Sequence, residues 1–266
     1  GCASVNGNKA VVSAPAGTQI LDTSLSTAQP AYFASVPKIA IDPHNPRRIA
    51  VIWRFLEMNL VGPFGEHRDM RCHLSLSSDG GESFTEQLID WGTPDLPKYN
   101  APYVDIGPKG EVIIGATLAR DIPNGTPPDA PHYGRVVFRS SEDWGKSWSP
   151  SQSVIATGDE DKFAANPAVP DQAKRTPWDG ARGIVDPQSG TIFVSGGFPA
   201  PPGEDLHSQR FYRASTDDGK TWGPIRAFAS EGWIQRWDGH MIAAHGRLAI
   251  TYLAHTVPKP GVECLC

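Results

Sequence analysis

Cysteine is scarce in this chain, with only Cys2, Cys72, Cys264 and Cys266 among 266 residues. Neither a C-x-x-C pair nor a tetrahedral zinc spacing occurs, which argues against a metal site of that kind. Long apolar runs are missing too, and none approaches the roughly eighteen residues of a helical membrane span. Basic clusters are absent and the net charge is −5, so nucleic acid is a poor partner. There is no Gly-x-Ser-x-Gly elbow, no His-Glu-x-x-His and no Walker or dinucleotide glycine pattern, and no cofactor is expected. What the chain has in quantity is glycine and proline, 27 and 25 residues, between regularly spaced apolar strands. That combination predicts many tight turns rather than disorder.

Three octapeptides share one pattern, S-x-D-x-G-x-(S/T)-(F/W). They are Ser77–Phe84, Ser141–Trp148 and Ser215–Trp222, each following a run of β-forming residues. Ser and Asp side chains bond turn backbone, Gly supplies a positive φ, and the aromatic folds back onto the sheet. A calcium loop needs alternating carboxylates and a distal bidentate Glu, which none of the three has. The pattern therefore predicts a structural turn, with Trp148 and Trp222 as core aromatics.

The pattern extends into a unit. Ile39–Ile41 leads through a turn to Ile49–Trp53, Tyr103–Ile106 to Val112–Gly115, and Gly183–Val185 to Ile192–Ser195, each ahead of a box. A fourth copy, Met241–Ala244 then Leu248–Tyr252, has no box after it. Two strands, a loop, a third strand, the box turn and a fourth strand make a propeller blade. The octapeptides are Asp boxes, and with these units the chain resembles the sialidase-like (BNR repeat) β-propellers.

The expected fold is all-β, a β-propeller of four-stranded antiparallel blades. The box aspartates Asp79, Asp143 and Asp217 recur after 64 and 74 residues, so six blades would need roughly 400 residues. About three and a half blades are expected within one domain spanning 1–266, at approximately 31–98, 99–176, 177–235 and 236–266. An unclosed propeller leaves edges unpaired. The expectation is that a second chain or a further segment completes it. Gly1-Cys2-Ala3-Ser4 is similar to a lipoprotein processing site, and Asn124-Gly125-Thr126 is a glycosylation sequon. Both favour a secreted or cell-surface protein.

Strand order places the starts of first strands and the second-to-third loops on the face opposite the boxes, where functional loops collect. First-strand starts there are Lys38, Tyr103, Trp178, Asp179, Arg182, Arg236, Trp237, Asp238 and His240. Second-strand ends add Arg54, Arg120 and His255. Long loops are expected at 55–71, 122–133 and 198–209. Indole faces stack on sugars and Arg forks bind carboxylates, so a carbohydrate suits this funnel. Asp238, Asp179, Asp69 and His240 are the candidate catalytic groups. Arg54, Arg120, Arg182, Tyr103, Trp178, Trp237 and His255 are the candidate substrate contacts.

The sialidase resemblance implies a Tyr nucleophile paired with a Glu, an Asp acid/base and three Arg on the substrate carboxylate. The family's first Arg, in an Arg-Ile-Pro motif, corresponds to Ser35 of Ser35-Val36-Pro37. Glu66 or Asp69 matches its Asp, Asp238 its Glu, and His255 stands where a further Arg is expected. The carboxylate clamp is thus altered. A glycoside hydrolase of sialidase-like type that is not a standard exo-sialidase is the leading expectation. The alternatives are a non-catalytic glycan- or protein-binding propeller, or a uronate polysaccharide lyase.

Overall fold

The computed structural model describes residues 33–59, 66–92, 98–119, 134–156, 179–198, 209–227 and 233–256, all strands and their turns. Sheet I contains β1 (Phe33–Ile41), β2 (Ile49–Asn59), β3 (Glu66–Ser77) and β4 (Thr85–Leu88). Sheet II contains β5 (Lys98–Ile106), β6 (Val112–Ala119), β7 (Gly134–Ser141) and β8 (Gln152–Ala156). Sheet III contains β9 (Asp179–Val185), β10 (Ile192–Phe198), β11 (Gln209–Ser215) and β12 (Arg226–Ala227). β13 (Trp233–Ala244) and β14 (Arg247–Thr256) form the two-stranded sheet IV. Each four-stranded sheet is an antiparallel meander in sequence order, consistent with propeller blades.

Side chains of successive sheets interlock. Ile52, Leu74 and Leu76 of sheet I pack with Val112, Ile114, Ala116 and Leu118 of sheet II. From the other face of sheet II, Ile113, Val136 and Phe138 pack with Val194 and Phe211 of sheet III. Alternate residues of β6 thus enter different cores, so Val112–Leu118 is apolar apart from one glycine and one threonine. A strand buried on both faces needs that pattern. Thr117 is buried and satisfied, its hydroxyl oxygen accepting from the Ala181 N–H at 3.2 Å.

All three boxes lie between the third and fourth strands of their sheets and fold into one hydrogen-bonded turn. In the first, the Ser77 hydroxyl donates to Asp79 and accepts from the Gly81 N–H, while Asp79 also accepts from the N–H and hydroxyl of Ser83. Asp143 and Asp217 repeat the arrangement with Ser147 and Thr221. Each carboxylate is occupied by its own turn.

The box tryptophans differ from expectation. Trp148 and Trp222 are half-buried rather than core residues. Their indole N–H groups donate to Gln87 and Gln152, on the fourth strand of the preceding sheet, at 3.2 Å each. An indole that must reach such a partner sits at the sheet edge, with one side against the core. Arg213 reinforces this joint. Its guanidinium donates to the Gly223 and Trp222 carbonyls of its own turn and to Val154 of sheet II. Arg139 makes the corresponding bridge to Ser149 and Asp90.

Asp105 joins sheets II and III, accepting from the Val185 N–H at 2.7 Å and from its neighbour Ile106. Burial pushes its carboxyl up to about 6, against the pull of those two amides, and nearby Glu111 adds to the rise. A raised carboxyl binds its proton more tightly when folded. Its favourable contribution is therefore complete below about pH 4 and is lost as pH rises through about 6. The stability gap between Asp105→Asn and the parent protein should move in the variant's favour by about 2.5 kcal/mol between pH 4 and pH 8. Urea denaturation across that range measures it, and a constant gap would refute the assignment.

Candidate functional site

The end of the sheets opposite the box turns is defined by register. Ile49 pairs with Ser77, Val112 with Ser141 and Ile192 with Ser215, so first turns and boxes share one end. The starts of β1, β5, β9 and β13 lie at the other. There, every first strand carries a bulge. Val36 and Pro37 oppose one residue of β2, Ala101 and Pro102 one residue of β6, and Gly180 and Ala181 one residue of β10. In β13 the insertion is larger, with Trp237, Asp238 and Gly239 between the pairs Arg236–Leu253 and His240–Thr251. Bulges re-aim side chains and recur beside active sites. Proline at 37 and 102 is the sequence signal for two of them, since proline within a strand marks a bulge or an edge.

The residues resuming the ladder after the bulges are equivalent: Lys38, Tyr103, Arg182 and His240. Three are polar and at least partly exposed. Burial, and secondly the charge of Arg182, hold the Lys38 ammonium below its ordinary range. Two cations from sheets I and III therefore influence each other across the start of sheet II. Arg54, half-buried, pairs with Ser35 and Cys72, and burial lowers its pKa. His240 is exposed, its N–H donating to the Thr251 hydroxyl at 3.2 Å.

Tyr103 requires a correction. Expected as a substrate contact, it is 3% exposed and belongs to the core between sheets II and III. Its hydroxyl donates to the Val137 carbonyl at 3.1 Å. Its ring lies over Gly115 and Gly183, where an added Cβ would come within 2.3 Å and 2.1 Å of ring atoms. Glycine at both positions makes room for the ring.

Asp179 pairs with Gly197, immediately before the β9 bulge, and Asp238 lies within the β13 bulge beside Trp237. His255 pairs with Ile234 near the end of β14. Asp69 was expected in a loop and is instead on β3, opposite Glu57. Most of 55–71 is a hairpin extension, because Phe55 through Asn59 pair with Arg71 back to Glu66. Arg120 and Trp178 lie outside the described residues.

The bulged end is tied down. The Ala181–Thr117 bond joins sheets III and II, and the buried Ser195 hydroxyl, on the register partner of Arg182, donates to Met241 Sδ at 3.1 Å. The sequence reading did not single out Thr117 or Ser195. A lone hydroxyl within an apolar strand is the only signal they offer. Among the described residues no cluster of metal-ligating side chains occurs. No described helix is long and apolar enough to cross a membrane.

Comparison with known proteins separates sequence from fold. No family model and no curated protein matches the sequence. Solved structures do match. The NanB sialidase of Streptococcus pneumoniae superposes with a TM-score of 0.50 at 9% identity, over 88% of this chain and 54% of that one. The fold is sialidase-like. A Trypanosoma rangeli sialidase mutant displaying trans-sialidase activity matches with a TM-score of 0.50 at 16% identity, covering 83% of this chain and 34% of its own. A Dyadobacter fermentans protein of unknown function gives 0.58 at 14% identity, over 85% of this chain and 64% of that one. The chain thus spans less than two-thirds of the length of each of these structures. Identities this low speak for the fold alone.

Proposed function

We propose that this chain belongs to a glycan-active enzyme of glycoside-hydrolase type, built as a β-propeller that has six blades when complete. Its site is the funnel at the bulged end of the first strands. The observation that carries the reading is the alignment of four bulges at one end, with Lys38, Arg182, Asp238 and His240 on or directly after them. Asp238 and Asp179 are the leading general acid/base candidates, with Asp69 and His240 as further catalytic candidates. Arg54, Arg120, Arg182, Trp178, Trp237 and His255 contribute charge and stacking surface. A polymeric glycan substrate fits a secreted or cell-surface setting.

Ordinary sialosides are poor substrates in this reading. Ser35 and His255 occupy positions at which the resemblance places Arg, and neither offers a bidentate guanidinium fork. The test is a panel of sialosides, neutral glycosides and uronate polymers incubated with the full-length protein. Release of a sugar other than sialic acid is expected. Efficient sialic acid release would contradict the altered clamp. Binding without turnover across the panel would replace the enzyme reading by a glycan-binding module.

A further inference from the structure

The first turns of sheets I, II and III are built alike. Asp42, Gly107 and Asp186 each follow the last residue of a first strand, and their N–H groups donate to the carbonyls of Arg48, Glu111 and Thr191 at 3.0, 2.9 and 2.9 Å. In sheets I and III the aspartate caps its own turn. Its Oδ1 accepts from the N–H two residues on, that of His44 at 2.9 Å and that of Gln188 at 3.0 Å. Sheet II has glycine at this place, yet the N–H two residues on, that of Lys109, still donates to a carboxylate at 2.8 Å. The carboxylate belongs to Glu111. A Cβ built on Gly107 would collide with Glu111 Oε1, so the glutamate fills the space that an aspartate side chain would take.

All three carboxylate residues are buried. Against two of them lies the turn of the following sheet. A Cβ on Gly110 of sheet II would come 3.5 Å from Asp42 Oδ2. Asp186 Oδ2 accepts from the Gly246 N–H of sheet IV, and from the Ser189 hydroxyl at 2.6 Å. The β13–β14 connection is a two-residue turn with both residues left-handed, φ 52° at His245 and 70° at Gly246. Backbone N–H groups in such a turn need acceptors from outside the hairpin once they are covered. Sheet III supplies both, Asp186 for Gly246 and Gln188 Oε1 for His245 at 3.1 Å. We infer that the first-turn carboxylate is a second repeated element of this fold, delivered by Glu111 in sheet II, and that Asp186 is a positioning residue which holds sheet IV, with its Asp238 bulge, against sheet III. A carboxylate suits the task, because its two oxygens serve its own turn and the neighbouring sheet at once, in charge-assisted bonds. The anchor does not depend on the ligand; its effect on Asp238 as a catalytic group rests on the funnel reading.

Hydrogen exchange on the full-length protein tests the anchor. Amides of Met241–Ile250 should exchange at least about tenfold faster in Asp186→Ala than in the parent, with β1 and β2 unchanged. Should Asp186→Ala fail to fold, Gln188→Ala reads the same joint and should speed the same amides. Equal acceleration in every sheet, or none in sheet IV, would overturn the anchor. A residue swap tests the shared carboxylate. Glu111→Thr and Gly107→Asp should each lower the melting temperature by about 3–6 °C, the first by losing a cap and the second by the clash with Glu111. Gly107 is outside the left-handed region, so its backbone accepts a side chain. The double variant copies the Asp186 and Thr191 pair of sheet III and should return to within about 2 °C of the parent. A double variant no better than the worse single would overturn the equivalence. With a processed glycan in hand, Asp186→Ala should lower kcat at least about tenfold with KM little changed. Unchanged kcat beside faster exchange would remove the positioning role. Absence of turnover in the parent would count against the funnel reading, and the exchange result would still decide the anchor.

Discussion

Replacing Tyr103 by Ala is expected to destabilise the protein by about 3–5 kcal/mol, a large fraction of the stability of an ordinary domain. The side chain is 3% exposed and fills the joint where sheet II meets sheet III. Its removal leaves a cavity over Gly115 and Gly183, bounded by β-sheet backbone that cannot collapse without loss of hydrogen bonds. The hydroxyl has a separate role, since it donates to the Val137 carbonyl. Tyr103→Phe keeps the ring and should cost only about 1 kcal/mol. Gly183→Ala attacks the same joint from the other side, because its Cβ would fall 2.1 Å from the ring. Urea denaturation of the three variants measures the set. A loss below about 1 kcal/mol for Tyr103→Ala would show that the ring does not hold the joint.

Asp238→Asn is expected to reduce turnover of a processed glycan by about 10²–10⁴-fold, the range of a lost general acid or base. Asp238 lies in the three-residue insertion of β13, the largest of the four bulges. An insertion already outside the regular ladder should tolerate an isosteric amide, so the melting temperature should stay within a few degrees of the parent. Loss of activity together with unfolding would assign Asp238 to structure. Retained activity in a folded variant would pass the role to Asp179 or Asp69, and Asp179→Asn and Asp69→Asn measured alongside would show which.

Much of the architecture was legible in the sequence, because the Asp boxes encode their own turn. Ser77, Asp79 and Ser83 bond one another within seven residues, and such local chemistry needs no tertiary information. The interlock of sheets was less legible. Trp148 and Trp222 looked like core aromatics, yet their positions are set by Gln87 and Gln152, 61 and 70 residues away in sequence. Residues 55–71 looked like a loop because Glu66 to Arg71 is highly charged, although Leu56, Met58 and Leu60 alternate with polar residues. The pairing of Phe55 through Asn59 with Glu66 through Arg71 is a backbone continuation of β2 and β3, which the charge of these residues does not report.

The candidate site was legible as one end of the sheets and only partly as a set of residues. Strand order alone placed Arg54, Arg182, Asp238 and His255 opposite the boxes, and the register agrees. Tyr103 was misread because strand position does not say to which side a bulge turns a residue. Gly115 and Gly183 were the available signal, since two glycines in neighbouring apolar strands mark a close approach.

The central claim is that ligand binds at the bulged end of the first strands, opposite the box turns. The most direct test is a crystal structure of the full-length protein with an oligosaccharide that it binds in solution. The account predicts a sugar in the funnel, with a ring beside the 237–239 bulge. A sugar bound at the end that carries Asp79, Asp143 and Asp217 would contradict it.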